Sequence, residues 1–486
     1  MKPRKRKDRG AQFIHNNLEL LGFGNRRDAL VQAVKELFEN ALDATQSLGS
    51  DSSRNEARLE LLRVKVRLNR HTDYIDIVCA DTGSGMRAHQ IKTLCCNAFE
   101  TTKGGAEGRG RCSSGKYGAR DEKRADNDDD AGVGLKAAML YSQLQASDAC
   151  LKIATTTDSD GILYVQLRIN PDSEETAVVK KVAHFVVDEN HHHFSGTEMR
   201  LSIPCPQETA QIASAADTLA LYFQSLRYIA PPSVGVQFDF DVGNINTFVE
   251  CLHREDPIDR FVADLGASAN DIFYATSNEE FVSISCLALM LGDMDPGADD
   301  DIDVCLLRFA NHAPLINGDD FFLCGATKGV CTGKLWKKYG LRCQRTTSHL
   351  VNQLVVTPLR APSRKVVNGA RDSKRLVLAV DLCVNNSEMG EGIKYGGLKK
   401  STLDVCYAAG VQTCCQAILQ QLVEAGRLWT PQQRQNHDLV ENFAPLISKS
   451  VAAIVKQSQL RQKVELSHDF SEELILRELQ AAIRNW

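Results

Sequence analysis

Two carboxylates and an amide, Glu36, Asp43 and Asn40, recur at spacings of four and three within VKELFENALDATQSLG, residues 34–49. On a helix, those spacings put all three on one face. Such a face suits either the wet side of an amphipathic helix or a polar site for a nucleotide. Further on, ADTGSGM follows a strand that ends in Asp81. A carboxylate there is an acceptor, and Gly83 and Gly85 leave the backbone open to a flat ring, an arrangement that suits the exocyclic amine of adenine. In AGVGLK, Gly132 and Gly134 open a helix, so the N–H groups at its positive end are free to hold phosphate, and Lys136 adds charge. Each motif alone is a common turn. No G-x-x-x-x-G-K-[ST] segment occurs, which removes a P-loop from consideration.

These residues need elements to position them. Leu30, Val34, Leu37 and Ala41 share a face by three-four spacing, which predicts a helix over about residues 28–48. Val64, Val66 and Leu68 alternate with Lys65 and Arg67, and DYIDIVCAD is a second strand, with RLNRHTD as the hairpin connection. Residues 104–131 are Gly-rich and then charged, with little to bury, and read as a long lid-like loop. A helix at AGVGLKAAMLYSQL and strands at LKIATTT, GILYVQLRI, VVKKVAHFVV and GTEMRLSI complete an α/β sandwich with an antiparallel-rich sheet. A second unit holds the strands FVSISCLALML, DVCLLRFANHAPL and RLVLAVDLCV, with TGKLWKKYGL as a short helix and turn. From residue 401 the chain reads as helical. TFVECLHREDPIDRFVADLG, between the units, is expected to supply a helix or two.

Composition narrows the class. The 486 residues are 43% hydrophobic and 24% charged, ordinary for a globular chain of two or three domains. No run of eighteen apolar residues exists, so no membrane span is expected. The N-terminus lacks the apolar stretch of a secretory signal, so the sixteen cysteines are expected as reduced thiols, and the absence of a C-x-x-C pair argues against a paired-ligand zinc site. The histidine run at 191–193 reads as a solvated loop. The net charge of −5 excludes a general polyanion binder, leaving the basic run Lys2–Arg9 as an import signal, a DNA-tracking arm or a solubilising tail.

The ordered set of polar helix, D-x-G-x-G, lid, G-x-G-x-K helix and G-T strand resembles the Bergerat-fold (GHKL) ATPases. FIHNNLELLGFGNRRDALVQAVKELFENALDA, SSGKYG with GVGLKAAMLYSQL, and LLRFANHAPLINGDDFFLCGATKGV with WKKYGL resemble the DNA topoisomerase VI B subunit within that family. The resemblance implies an ATPase domain over 12–235 after a basic tail at 1–11, and a reduced linker at 236–275 in place of a helix-two-turn-helix domain. It further implies a transducer-type α/β domain at 276–400 and partner-docking helices at 401–486. It makes Glu36 the general base and Asn40 the Mg²⁺ ligand. Asp81 reads adenine; Gly83, Gly85 and Met86 line the base pocket; Thr197 supports the adenine end; Asp43 stands outside the ligands. Lys116 and the Gly132, Val133, Gly134, Leu135 and Lys136 box meet the phosphates, and Lys399, with Lys394 and Lys400 as alternatives, is the transducer's switch lysine. The implied cofactors are ATP and Mg²⁺. The implied partners are a second copy of this chain, DNA, and a DNA-cleaving A-type subunit or its meiotic relative, which places the chain in the nucleus. The acidic run RDEKRADNDDD and the shortened linker depart from the family pattern and raise a meiotic scaffold with weak hydrolysis as an alternative. A chaperone- or chromatin-type Bergerat ATPase is a second alternative.

Overall fold

The computed structural model describes residues 10–46, 60–69, 71–88, 90–91, 95, 133–146, 148–157, 161–169, 183–185, 196–226, 234–252, 269–279, 282–291, 302–315, 325–327, 330, 334–343, 375–384, 393–395, 403–462 and 471–484. The expected lid at 104–131 lies outside them, as do Lys116, Gly132, Lys399 and Lys400.

The first layer pair begins with α1 (Gly10–Asn16), which packs Ile14 into its own chain's core, and a π-helical turn at Glu19–Phe23. The long helix α2 (Arg26–Gln46) matches the predicted one within two residues at each end. Strands β1 (Glu60–Leu68) and β2 (Tyr74–Asp81) form the expected antiparallel hairpin, with Arg63 opposite Ala80 and Leu68 opposite Ile75. Helix α3 (Val133–Gln145) follows, then β3 (Leu151–Thr156), β4 (Ile162–Leu167), β5 (Ala183–Phe185), β6 (Gly196–Pro204) and α4 (Thr209–Ser225). Strands β7 (Val234–Val242) and β8 (Ile245–Cys251) complete one eight-stranded sheet in the order β5-β4-β3-β6-β2-β1-β7-β8.

Helices α2, α3 and α4 all lie on one face of this sheet, so each strand buries alternate residues. In β2 the buried set is Ile75, Ile77, Cys79 and Asp81. The parity that puts three apolar residues in the core carries the terminal carboxylate to the helix side as well. The helix-sheet seam is aromatic: Phe223 stacks on Phe238 at 4.2 Å between centroids and meets Phe38 edge-on at 5.0 Å.

The extent of the first sheet differs from the expected boundary. The first sheet continues to Cys251, beyond residue 235, and Thr247–Cys251, the start of the segment expected to supply a helix or two, belong to β8, while residues 253–268 lie outside the described residues. The signal was local: Gly243-Asn244 is a two-residue hairpin turn joining Val242 to Ile245, with Gly243 at φ +64°. That turn and the pairing with β7 make TFVEC a strand.

The second layer pair holds β9 (Ile272–Asn278), β10 (Val282–Leu291), β11 (Ile302–Ala310), β12 (Ala313–Pro314), β13 (Leu341–Cys343) and β14 (Arg375–Val384). Its order is β12-β11-β14-β10-β9, with β13 on β11, and the short helix α5 (Lys334–Lys338) precedes β13. Helix α6 (Ala408–Glu424) covers one face, placing Cys414 over the Ile284 carbonyl. Helices α7 (Pro431–Asp438), α8 (Ala444–Gln462) and α9 (Glu472–Arg484) end the chain, and Phe443, Leu446, Ile447 and Ile454 stand exposed there. Among the described residues, no helix is long and apolar enough to cross a membrane.

Candidate functional site

The polar residues of α2 are not on a wet face. Glu36 is 8% exposed, and its Oε1 accepts a hydrogen bond from Gln32 Nε2 at 2.7 Å. One turn later, Asn40 Nδ2 donates to the Glu36 carbonyl at 2.7 Å, which leaves the amide oxygen as the acceptor end of the side chain. Gln32 escaped the sequence reading, although its i, i+4 spacing to Glu36 was a usable signal.

The start of α3 comes directly onto this carboxylate. A Cβ on Gly134 would fall 1.8 Å from Glu36 Oε2, so the second glycine box and the polar helix share one cradle. Only a residue without a side chain lets the backbone approach so closely.

Asp81 is 6% exposed at the end of β2. Its Oδ1 accepts from Gly83 N at 2.9 Å and from Thr197 N at 3.2 Å. Burial pushes the carboxyl up to about 7; the two N–H donors pull it back part of the way, and the charge of Glu60 adds to the rise. With Oδ1 occupied twice, Oδ2 is the remaining acceptor. Thr197 sits opposite Asp81 in the β2–β6 ladder, and its hydroxyl lies 3.0 Å from that of Thr155. Thr155 Oγ1 also accepts from Met86 N at 2.9 Å, which ties the glycine loop to β3. Gly85 makes this tie possible: it has φ +69°, and a Cβ there would fall 2.0 Å from the Thr156 carbonyl. Met86 packs partly buried against the core. A cavity of about 540 Å³ opens beside Asp81, Thr155 and Thr197, walled by Arg63, Tyr164 and Glu198 from the sheet face away from α2.

The structure thus gathers Glu36, Asn40, Gly134, Asp81, Gly83, Gly85, Met86 and Thr197 around one end of the first sheet. Val133, Leu135 and Lys136 are buried in the α3 packing. Lys136 is 1% exposed, so protein encloses it at the start of α3. Lys394 is exposed, and its N–H donates to the Tyr407 hydroxyl at 3.0 Å. The next residue, Tyr395, was not anticipated. It is buried, and burial first, then the charges of Glu39 and Asp43, push its hydroxyl well up. The segment Ile393–Tyr395 of the second unit therefore lies within electrostatic reach of α2.

The residues present fit an adenine nucleotide with a divalent cation. An enclosed carboxylate accepts from the glycine loop, the Asn40 side chain brings an amide oxygen acceptor, and the Gly134 cradle lies against a carboxylate.

Residues 25–120 match the family model described as histidine kinase-, DNA gyrase B- and HSP90-like ATPase. The chain is 28% identical over 193 residues to the B subunit of the type 2 DNA topoisomerase 6 of Archaeoglobus fulgidus, covering 40% of this chain and 27% of that protein. It is 30% identical over 198 residues to the corresponding protein of Saccharolobus solfataricus, covering 40% and 31%. Over 169 residues it is 30% identical to that of Natronomonas pharaonis, covering 35% and 18%. The matches thus span less than a third of these relatives. Among solved structures, the 43K ATPase domain of Thermus thermophilus gyrase B is similar with a TM-score of 0.40 at 12% identity, over 86% of this chain and 95% of that one.

Proposed function

Since the chain belongs to the topoisomerase VI B-type family and carries its GHKL ATPase fold, we propose that it binds and hydrolyses ATP to drive a dimeric clamp of a type IIB topoisomerase. The observation that carries this is the Glu36–Gly134 contact, which sets a buried carboxylate against the N-terminus of α3.

Each residue has a task in this reading. Asp81 Oδ2 accepts the adenine amine, and Gly83, Gly85 and Met86 form the floor under the ring. Glu36 orients the attacking water and takes its proton, held in place by Gln32. The Asn40 amide oxygen is positioned to hold Mg²⁺. When bound, that ion neutralises charge developing on the phosphates. The exposed Phe443, Leu446, Ile447 and Ile454 support docking of a DNA-cleaving A-type subunit on the C-terminal helices. The substrate of the whole assembly would be duplex DNA in the nucleus.

The test measures ATP turnover and nucleotide-dependent dimerisation of the full chain and of Glu36→Gln. Turnover should fall to background in the variant while bound nucleotide and dimerisation persist, because the binding groups remain. Equal turnover in both proteins would remove Glu36 from its role. Dimerisation without any turnover in the parent would favour a clamp that uses ATP only by binding it, as expected of a meiotic scaffold.

A further inference from the structure

A second cluster of chemically capable side chains lies in the other sheet, remote in sequence from the nucleotide residues. Asp381 and Cys383 are two residues apart on β14 and so share a face of the strand. Asp381 is 2% exposed. Its Oδ2 receives His312 Nδ1 at 2.7 Å and Cys383 Sγ at 3.2 Å, and Sγ lies 3.9 Å from that same ring nitrogen and 3.8 Å from Nε2. Imidazole, thiol and carboxylate therefore converge on one point.

The backbone holds them there. His312 occupies the two-residue turn between β11 and β12, with Asn311 at φ 47° and His312 at φ 65°. Paired positive φ values belong to the hairpin turn that normally takes Asn-Gly. A histidine at the glycine position is strained, and such strain is retained where the side chain has a task. The turn is also latched to β14 on both sides: Asn311 N donates to the Leu382 carbonyl at 2.7 Å, and Val384 N donates to Asn311 Oδ1 at 3.1 Å. All three donors thus sit on mutually fixed backbone, as a metal site requires.

We propose that His312, Asp381 and Cys383 form a divalent transition-metal site of the zinc type, with solvent as the fourth ligand. Zinc takes sulfur at about 2.3 Å and nitrogen or oxygen at about 2.0–2.2 Å, so tetrahedral donors stand about 3.3–3.6 Å apart. The three observed separations each lie within about 0.7 Å of that. The short His312–Asp381 edge is a hydrogen bond occupying the metal's place. On binding, the Cys383 thiol releases its proton to solvent, and the His312 proton moves from Nδ1 to Nε2. The mixed sulfur, nitrogen and oxygen set favours zinc over magnesium or calcium, which prefer all-oxygen ligands. Partial exposure of His312 supplies the route for the ion and the water. The bound ion would staple the β11–β12 turn to β14.

The test uses the full chain with His191, His192 and His193 replaced by alanine, so that this other histidine run does not compete. After chelator treatment, the protein is titrated with Co²⁺ and then with Zn²⁺. The expected result is one cobalt per chain with thiolate charge-transfer absorption, bleached by zinc, and a raised melting temperature in zinc. Cys383→Ser should lose the charge-transfer band and weaken zinc binding by about 100-fold, at or beyond the upper end of what loss of an outer partner costs. His312→Asn keeps a residue that tolerates positive φ, so it should fold and still lose the site. Cys406→Ser, at an exposed cysteine, should bind like the parent. Absence of the thiolate band in the parent, or equal zinc affinity in the parent and folded His312→Asn, would overturn the proposal.

Discussion

Replacing Gly134 by alanine puts a methyl group where the Glu36 carboxylate now lies. The new Cβ would fall 1.8 Å from Oε2, 2.0 Å from Cδ and 2.4 Å from Oε1, where ordinary contact begins at 3.4 Å. The shortfall is about 1.6 Å, far beyond what a rotamer wobble absorbs. Gly134 does not have positive φ and stands in the first turn of α3, so the helix itself accepts alanine and gains up to ~1 kcal/mol of propensity. The flexible partner is Glu36, which must break its 2.7 Å bond to Gln32 and retreat. A misplacement of about 1 Å in a group that positions a reactant costs about 100-fold in rate, or about 2.7 kcal/mol of barrier. Gly134→Ala should therefore hydrolyse ATP about 100-fold more slowly, with a melting temperature equal to or above the parent's and with adenine binding at Asp81 intact. Steady-state phosphate release, binding of a non-hydrolysable ATP analogue and a thermal melt read the three quantities. The double variant with Glu36→Gln should be no slower than Glu36→Gln alone, because both changes remove one function. Parent-like turnover in a folded Gly134→Ala protein would refute the cradle. Unfolding would show that the backbone, not the carboxylate, takes the clash.

Three further outcomes follow from the same geometry. Asp81 is held near 7 against an unfolded value of 3.8, so the folded state binds the extra proton between those pH values; its contribution to stability falls as pH rises through that window, while adenine affinity, which needs an unprotonated Oδ2, rises through about pH 7. Calorimetric titration of ATP from about pH 6 to 8 should show this gain, and Asp81→Asn, which turns that acceptor into a donor, should bind poorly at every pH. Gly85→Ala meets both a positive φ and a carbonyl at 2.0 Å, so the first domain should lose more than ~2 kcal/mol in a urea melt; an unchanged midpoint would mean the loop relaxes freely. Phe223→Ala opens the aromatic seam between α4 and β7 and should cost about 3–5 kcal/mol by the same melt, whereas a loss under ~1 kcal/mol would show that the seam collapses to fill the gap.

Much of this protein is legible without coordinates because it is written in short-range periodicity. The three-four spacing of Leu30, Val34 and Leu37 specifies α2, and alternation from Val64 to Leu68 specifies β1, since both patterns follow from backbone repeat alone. The glycines around Asp81 and before α3 likewise announce close approach, because no other residue permits it. Those signals do not say what is approached. That Gly134 meets Glu36, nearly a hundred residues away, depends on α3 packing beside α2 on one face of the sheet. The elevated Asp81 carboxyl depends on strand parity and burial, the enclosure of Lys136 depends on the packing of α3, and β8 is a strand because β7 is there to pair with it. The meeting of His312 with Asp381 and Cys383 is likewise a contact between distant segments. Local sequence sets which conformations are cheap; burial, charge environment and long-range contact exist only once the sheets have closed, and those decide what the side chains can do.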